Sequence, residues 1–493
     1  MNPSKKSTIL KDTLTYGSAN YVVQGIGIVN SVVLRRFMGP TAMGIWSLLQ
    51  VILGYCGYAS FGTTKALMRD YPYLRGRGEH QKAESLKDLV FTFSMLGSII
   101  PALVIVFYLI FKWTALEGAF RVGLLFITAF LFVQRFYDLL MALLRSDKKF
   151  TVLSQLIILN ALAGLACTVF LVSHWNIYGL FAGTAIVTIG CLFFIEKASP
   201  YNFHYLWDTR ALWRELRLGI PLVAMSFLAE FFRSLDKWII ANKLGFHELG
   251  LYSIAMMANS YVFSLPMMFA HVLYPSLQEE YGQKGTAASV KHYLTKAVFV
   301  LSIVSPFLCG LAVFLMPPLA HLFLPRFVSG LFAMKIYLVG TFFLLLAQFS
   351  VNFLVTLDKF WVTIPLLIAA IPVNYGLNLM FLRMHWGLEG VALGSAISFL
   401  FYGVGAYIMA MRHFASSRDI VSQVSNLVFT LTLFFGGLFL IDRLFILPNL
   451  YGSAFVRTIV FMVFSVPFFW VLEKKSGLLT HLGQIMFKRK AAG

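Results

Sequence analysis

The chain has 493 residues, 59% of them hydrophobic and 12% charged, with 40 Lys and Arg against 21 Asp and Glu for a net charge of +19. Soluble domains are roughly 45–50% apolar and about 25% charged, so a set of water-soluble domains is excluded and part of the surface must face lipid. At roughly 21 residues per crossing, fourteen helices use about 60% of the chain, which sets the ceiling on the number of spans.

Hydropathy predicts spans at Leu14–Leu34, Met43–Thr64, Leu89–Phe111, Ala119–Leu144, Thr151–Val172, Tyr178–Ile195 and Leu218–Ile240. They continue at Leu251–Leu273, Ala297–Met316, Leu331–Val355, Trp361–Leu382, Val391–Met411, Asn426–Ile441 and Phe455–Leu472. These runs are too long for barrel strands, and hydrocarbon admits only helices or closed barrels. The fold class is therefore an all-α polytopic membrane protein of about 14 transmembrane helices. The connections are short; the longer stretch from Lys197 to Arg217 carries Tyr201, Tyr205, Trp207 and Trp213 among charges and is expected to form an interfacial helix, with an unstructured linker as the alternative.

In a soluble protein so basic a balance would point to nucleic acid, but cytoplasmic loops of membrane proteins collect Lys and Arg. With the N-terminus inside, 26 basic residues fall on the inner side, 8 on the outer and 6 within spans. Both termini are thus expected in the cytoplasm, with no nucleic-acid partner. Cys56, Cys167, Cys191 and Cys309 all lie in apolar runs without a CxxC, which supports neither a disulfide framework nor a zinc site.

The chain also repeats itself. Residues 39–48, GPTAMGIWSL, match 245–254, GFHELGLYSI, at an offset of 206. The pattern W-x3-G-x3-G-[ST]-A-I joins Trp175–Ile186 to Trp386–Ile397 at 211, and Asp147-Lys148 matches Asp358-Lys359 at 211. Ordered matches at nearly one offset predict two six-helix units in the same orientation, a parallel repeat. The expected organisation is a lobe over 1–196, a cytoplasmic interfacial linker over 197–217, a second lobe over 218–415, and spans 13–14 with a basic cytoplasmic tail over 416–493. Parallel halves of this kind commonly enclose a central cavity and rock about it; duplication into a larger bundle is the plainer alternative. The motif glycines are read first as packing positions.

No HExxH, P-loop or GxSxG is present, so no catalytic residues or metal site are assigned and the chain is not read as an enzyme. Charges inside spans cost roughly 2.5–3.5 kcal/mol at a helix centre on insertion scales and mark function by default. Arg135 and Asp138 lie in span 4, and Glu230, Arg233, Asp236 and Lys237 in span 7. Glu230 falls about 18 Å into its helix, near the midplane. Glu230–Arg233, Arg233–Asp236 and Arg135–Asp138 have i,i+3 spacing. Each pair either neutralises itself to lock a packing contact, or places cations toward an anionic headgroup and carboxylates (Glu230, Asp236, Asp138) toward a coupling cation. Asn20, Gln24 and Asn259 are further polar candidates for a cavity lining, or else helix–helix hydrogen bonds. Lys65, Lys335 and Arg457 sit near span ends, where snorkelling accounts for them.

The segments "LRRFMGPTAMGIWSL", "LRLGIPL", "SLDKWIIANKLGFHELGLYSIA" and "VLYPSLQEEYG" resemble polysaccharide-type flippases, the O-antigen and capsule repeat-unit branch of the multidrug/oligosaccharidyl-lipid/polysaccharide exporter superfamily. The resemblance covers about residues 8–415. It implies a protein of the bacterial cytoplasmic membrane that turns a polyprenyl-pyrophosphate-linked oligosaccharide from the inner to the outer leaflet. Two lobes would alternate access, driven by a sodium or proton gradient, with glycan polymerase or glycosyltransferase machinery as partners. By this resemblance Arg233 and Lys237 would be the basic cavity positions on span 7; Arg135 of span 4 is a further substrate-binding candidate. The chain departs from the lipid II flippases in having no charge in span 1, and its fourteen spans exceed the twelve usual for O-antigen flippases. Three rivals stand: an ion-coupled multidrug or organic-cation antiporter, which needs acidic cavity residues; a membrane-embedded glycan polymerase or ligase, which usually has a substantial loop that this chain lacks; and a non-transporting scaffold, which the paired charges inside span 7 disfavour.

Overall fold

The computed structural model describes residues 3–476, so the tail over 477–493 lies outside the described residues. Among the described residues there is no strand. Fifteen helices follow in order: α1 (Pro3–Gly57), α2 (Thr63–Gly76), α3 (His80–Gly97), α4 (Ile99–Lys112), α5 (Gly118–Ser146), α6 (Phe150–Cys167), α7 (Ser173–Ala198) and α8 (Thr209–Lys243). Then come α9 (Phe246–Lys284), α10 (Lys291–Phe323), α11 (Leu331–Thr356), α12 (Thr363–Arg383), α13 (Gly387–Met411), α14 (Ser417–Leu444) and α15 (Leu450–Ser476).

Among the described residues eleven helices are long and apolar enough to cross a membrane, or twelve counting the bent pair Phe246–Met268 and Leu273–Lys284. The count is smaller than the fourteen expected segments, and two of these helices are unusually long. Two of the eleven, Ala19–Ser60 and Phe150–Ala198, run 42 and 49 residues, about twice the ~20 residues that a bilayer core requires. Each holds one non-helical residue where two spans were expected to part. In α1 it is Gly39 (φ 75°, ψ 176°), followed by Pro40. In the α6–α7 run it is Asn176 (φ 51°, ψ −130°). Gly245 (φ 94°) and Gly387 (φ 55°) take positive φ at the positions 206 and 211 residues further on. Glycine carries no Cβ penalty there, whereas Asn176 holds a conformation that side chains disfavour.

The chain divides into two compact units: residues 1–237 with 245–250, and residues 238–244 with 251–493. In the first unit α1 packs on α5, α6 and α7, and α2 packs on α3 and α5. The two copies of the G-x4-G motif meet within this unit. A Cβ on Gly44 would collide with the Phe246 carbonyl, and one on Gly250 with the Pro40 carbonyl. Thr41 Oγ1 lies 3.4 Å from His247 Nδ1. Pro40, Thr41 and Gly44 correspond to Phe246, His247 and Gly250 at the 206-residue offset, so the contact is reciprocal, as in an isologous interface.

Residues 199–208 are non-helical, which corrects the expected interfacial helix; only from Thr209 is this stretch helical, as the start of α8. They form a strap across α3 and α5. Phe203 lies between Phe91 and Phe136, with ring centroids 4.8 and 5.4 Å away. The His204 and Leu206 amides donate to Asp88 Oδ1 (3.2 Å) and Thr92 Oγ1 (3.0 Å). Lys87, buried in the bed of the strap, donates to Glu84 (2.7 Å) and to the Asn202 carbonyl. Tyr201 donates to Asp147 Oδ2 (2.8 Å), which Arg75 also binds. Burial and these carboxylates push both the Tyr201 and Tyr71 phenols up, the latter to about 12. Asp208 ends the strap by accepting from the Arg210 and Ala211 amides (2.9 and 3.1 Å), an N-cap for α8.

In the second unit α11 packs on α13, α12 on α13, and both α14 and α15 on α10. Phe461 of α15 fills the space that a side chain at Gly310 would need, with Phe307 and Phe314 around it. Asp442 binds Lys335 Nζ (2.6 Å) and Arg457 (2.8 Å), tying α14 to α11 and α15. Two charges assigned by the sequence to snorkelling are thus paired.

Candidate functional site

The first unit places a polar stripe along α8, because Ser226, Glu230 and Ser234 recur every four residues and share one helical face. The end of α1 and the start of α2 cover this face. α8 approaches closely there: a Cβ on Gly219 would sit 2.7 Å from the Phe61 carbonyl oxygen, opposite Gly62 at φ 84°. Tyr55 and Ser234 share a hydrogen bond of 2.6 Å. Tyr58 donates to the Ser226 carbonyl (3.3 Å), and Lys65 Nζ donates to Ser226 Oγ (2.9 Å). The Phe227 ring meets Tyr55 and Tyr58 edge-on, each with centroids 5.5 Å apart.

Arg233 and Glu230 form an ion pair of 2.8 Å, with 38% and 36% of their side chains exposed. One guanidinium nitrogen is occupied, and the fork retains further N–H donors. Asp236 is buried and accepts from the Lys237 amide (2.8 Å). Lys237 is half-buried, and among the described residues no acid or other polar group bonds its ammonium. α8 therefore offers one anchored guanidinium and one uncommitted ammonium on neighbouring turns, donors suited to phosphate oxygens.

The span 4 residues are arranged otherwise. Arg135 is buried and donates to the Cys56 (2.7 Å) and Gly57 (2.9 Å) carbonyls, closing the last turn of α1. Asp138 accepts from Gln134 Nε2 (2.9 Å). Among the described residues Arg135 and Asp138 form no ion pair, contrary to their i,i+3 spacing, because the guanidinium is drawn to the orphan carbonyls of α1. Asn20 and Gln24 are half-buried on α1, a turn apart. Asn259 lies in the second unit, where it accepts from Thr341 Oγ1 (2.8 Å).

Tyr55, Tyr58, Ser226 and Ser234 were not anticipated. The four-residue spacing of Ser226, Glu230 and Ser234 was visible on the chain; the two tyrosines are distant in sequence and carried no such signal. Among the described residues there is no group of three His, Cys, Asp or Glu suited to a metal.

Comparison with solved structures shows the fold. Over 94% of this chain and 99% of the other, it superposes on "Lipid II flippase MurJ, inward closed conformation" at 12% identity and a TM-score of 0.67. A multidrug resistance MATE family transporter of the MOP superfamily, inward-facing, matches 81% of this chain and 95% of its own at 14% identity and TM-score 0.63. The Vibrio cholerae MATE transporter VcmN in its bent form matches 84% and 99% at 14% identity and TM-score 0.53. No curated protein sequence matches. The fold is that of a multi-pass helical membrane protein, with the architecture shared by these transporter and flippase structures. The family described as "Polysaccharide biosynthesis protein" matches residues 33–324, more than half of the chain. The chain belongs to that family.

Proposed function

We propose that the protein is a flippase that carries a polyprenyl-pyrophosphate-linked oligosaccharide from the inner to the outer leaflet of a bacterial cytoplasmic membrane, by alternating access coupled to a sodium or proton gradient. The observation that carries this reading is the pair of cations on α8, Arg233 held by Glu230 and Lys237, whose ammonium has no ion-pair partner among the described residues. An unpaired ammonium is costly in hydrocarbon; a pyrophosphate offsets that cost. The sugar headgroup needs a hydrated path, since its hydroxyls lose several kcal/mol in apolar surroundings, while the prenyl chain stays in lipid. Family membership and the flippase and transporter folds among the neighbours support the same reading. The headgroup would bear on Arg233 and Lys237, with Arg135, Asn20, Gln24 and Asn259 as secondary contacts. Glu230, Asp236 and Asp138 are the carboxylates available for ion coupling, and glycan-assembling enzymes are the expected partners. Organic-cation antiport is less favoured, because the exposed carboxylate of α8, Glu230, is already bound to Arg233.

The test is Arg233→Ala in a strain lacking the native copy. Charge-assisted hydrogen bonds contribute about 1.5–3 kcal/mol each, so transport should fall roughly 10- to 100-fold. Surface glycan should drop and lipid-linked precursor should accumulate on the inner leaflet, with Arg233→Lys intermediate. Normal export from Arg233→Ala at wild-type protein level rejects the assignment.

A further inference from the structure

The first unit contains a polar cavity of about 690 Å³, away from α8's central stripe. It opens where α2, the head of α3 and the strap converge, at the end of the apolar part of α3, a position suited to a bilayer interface. Leu86 and Leu89 of α3 form its apolar floor with Leu206 of the strap. Tyr73 on its wall is largely exposed, as are the neighbouring Tyr205, Trp207 and Trp213. Exposed aromatic side chains of this kind anchor proteins at headgroup level.

Four cations, Arg69, Arg77, Lys82 and Arg214, line the cavity together with three carboxylates, Asp70, Glu79 and Asp208. Not all are uncommitted. Arg69 clamps Asp70 with two bonds of 2.6 and 2.8 Å. Asp208 caps α8. Arg214 leans on Glu215 at 3.1 Å. The remaining group is Arg77, Glu79 and Lys82, which are partnered but mostly exposed: Glu79 pairs with Lys82 at 2.9 Å and lies 3.9 Å from Arg77, Arg77 also donates to the Tyr73 hydroxyl (3.2 Å), and Arg77 and Lys82 are 60% and 73% exposed. The Lys82 hydrogen bond holds the Glu79 carboxyl below the usual range, so it is ionised at neutral pH.

We propose that this cavity binds the headgroup of an aminophospholipid. The phosphodiester lies between Arg77 and Lys82, the primary amine meets Glu79, and the first carbons of the acyl chains rest on the leucine floor. The mixed lining decides the class. A purely anionic headgroup would draw Lys82 away from Glu79 and leave that carboxylate without a partner, and a quaternary amine has no N–H to donate to Glu79. A headgroup with a phosphate and a primary ammonium satisfies both signs. The volume falls within the ~300–1,000 Å³ of ordinary ligand sites. The inference is independent of the transported substrate, since none of these three residues belongs to the α8 site.

The test uses the purified full-length protein in phosphatidylcholine nanodiscs doped with phosphatidylethanolamine or phosphatidylglycerol, with retained lipid counted by native mass spectrometry. Wild type should retain phosphatidylethanolamine at least fivefold over phosphatidylglycerol. Glu79→Gln should abolish that preference, and Arg77→Gln with Lys82→Gln should lower retention of both lipids about tenfold. The single Arg77→Gln variant serves if the double one does not fold. Equal retention of both lipids by wild type, or preference unchanged in Glu79→Gln, overturns the proposal. So does full displacement by millimolar soluble phosphoethanolamine, which would assign the site to a soluble headgroup instead of a lipid.

Discussion

Arg135 shows how one residue's chemistry is decided by what lies within reach. A helix end leaves its last carbonyls without partners, and in a bilayer water does not supply them. α1 ends at Gly57 inside the first unit, and the Arg135 guanidinium binds the Cys56 and Gly57 oxygens from α5. Two forked donors suit two adjacent carbonyls, which a single ammonium matches less well. Arg135→Ala should therefore destabilise the protein by about 1–3 kcal/mol for each carbonyl orphaned. Arg135→Lys should recover part of that loss. Thermal unfolding in detergent measures both; an unchanged midpoint for Arg135→Ala would remove the cap from the account. Arg233 is held by Glu230 on its own helix, which leaves donors spare. Two arginines of similar appearance in the sequence thus have different surroundings.

Among elements, the recurring breaks explain how long apolar runs become separate spans. Gly39 and Gly245 occupy positive φ ahead of equivalent segments, as do Asn176 and Gly387. The GxxxG pairs also recur in contact as well as in sequence. A Cβ on Gly183 would meet the Cys167 Cβ at 3.0 Å on the helix before it, and Gly394 faces Asn378, the residue 211 positions after Cys167. Gly44 packs against backbone, which has nowhere to move, whereas a methyl group added at Gly54 on the same helix would have nothing within 4 Å. Gly44→Ala is therefore expected to cost about 1–3 kcal/mol through overpacking, and Gly54→Ala to stabilise slightly or leave stability unchanged. The two unfolding midpoints decide it, since equal midpoints would mean that the reciprocal contact is dispensable. The strap is governed by period two, not 3.6. Tyr201, Phe203, Tyr205 and Trp207 alternate with Asn202, His204 and Leu206, a pattern of extended chain that the aromatic-and-charge composition obscured.

Across the whole molecule, charge asymmetry makes a topological prediction. Lys284 and Arg326 are both exposed and lie at opposite ends of α10 and its flanking turns. If the side rich in Lys and Arg is cytoplasmic, cysteine placed at 326 reacts with a membrane-impermeant maleimide on intact cells. Cysteine placed at 284 reacts only after permeabilisation. The native Cys56, Cys191 and Cys309 are buried and give little background. The opposite labelling pattern would reverse that orientation.

Hydrophobic content and run length by themselves determined that this is a helical membrane protein, because a bilayer demands about 20 apolar residues per helix and leaves few other solutions. The motif glycines read as packing positions include Gly44, Gly183, Gly250 and Gly394, where helices approach closely, since that steric demand is written in residue type. The rarity of charge inside apolar runs likewise directed attention to Glu230, Arg233 and Lys237. What required the tertiary structure was partnership. That Arg135 caps α1 and does not pair with Asp138, that Tyr55 and Tyr58 flank the α8 stripe, and that Lys335 and Arg457 converge on Asp442 depend on which helix ends meet in space. Helical spacing governs neighbours on one helix only; across helices, the competition among nearby polar groups decides which bond forms.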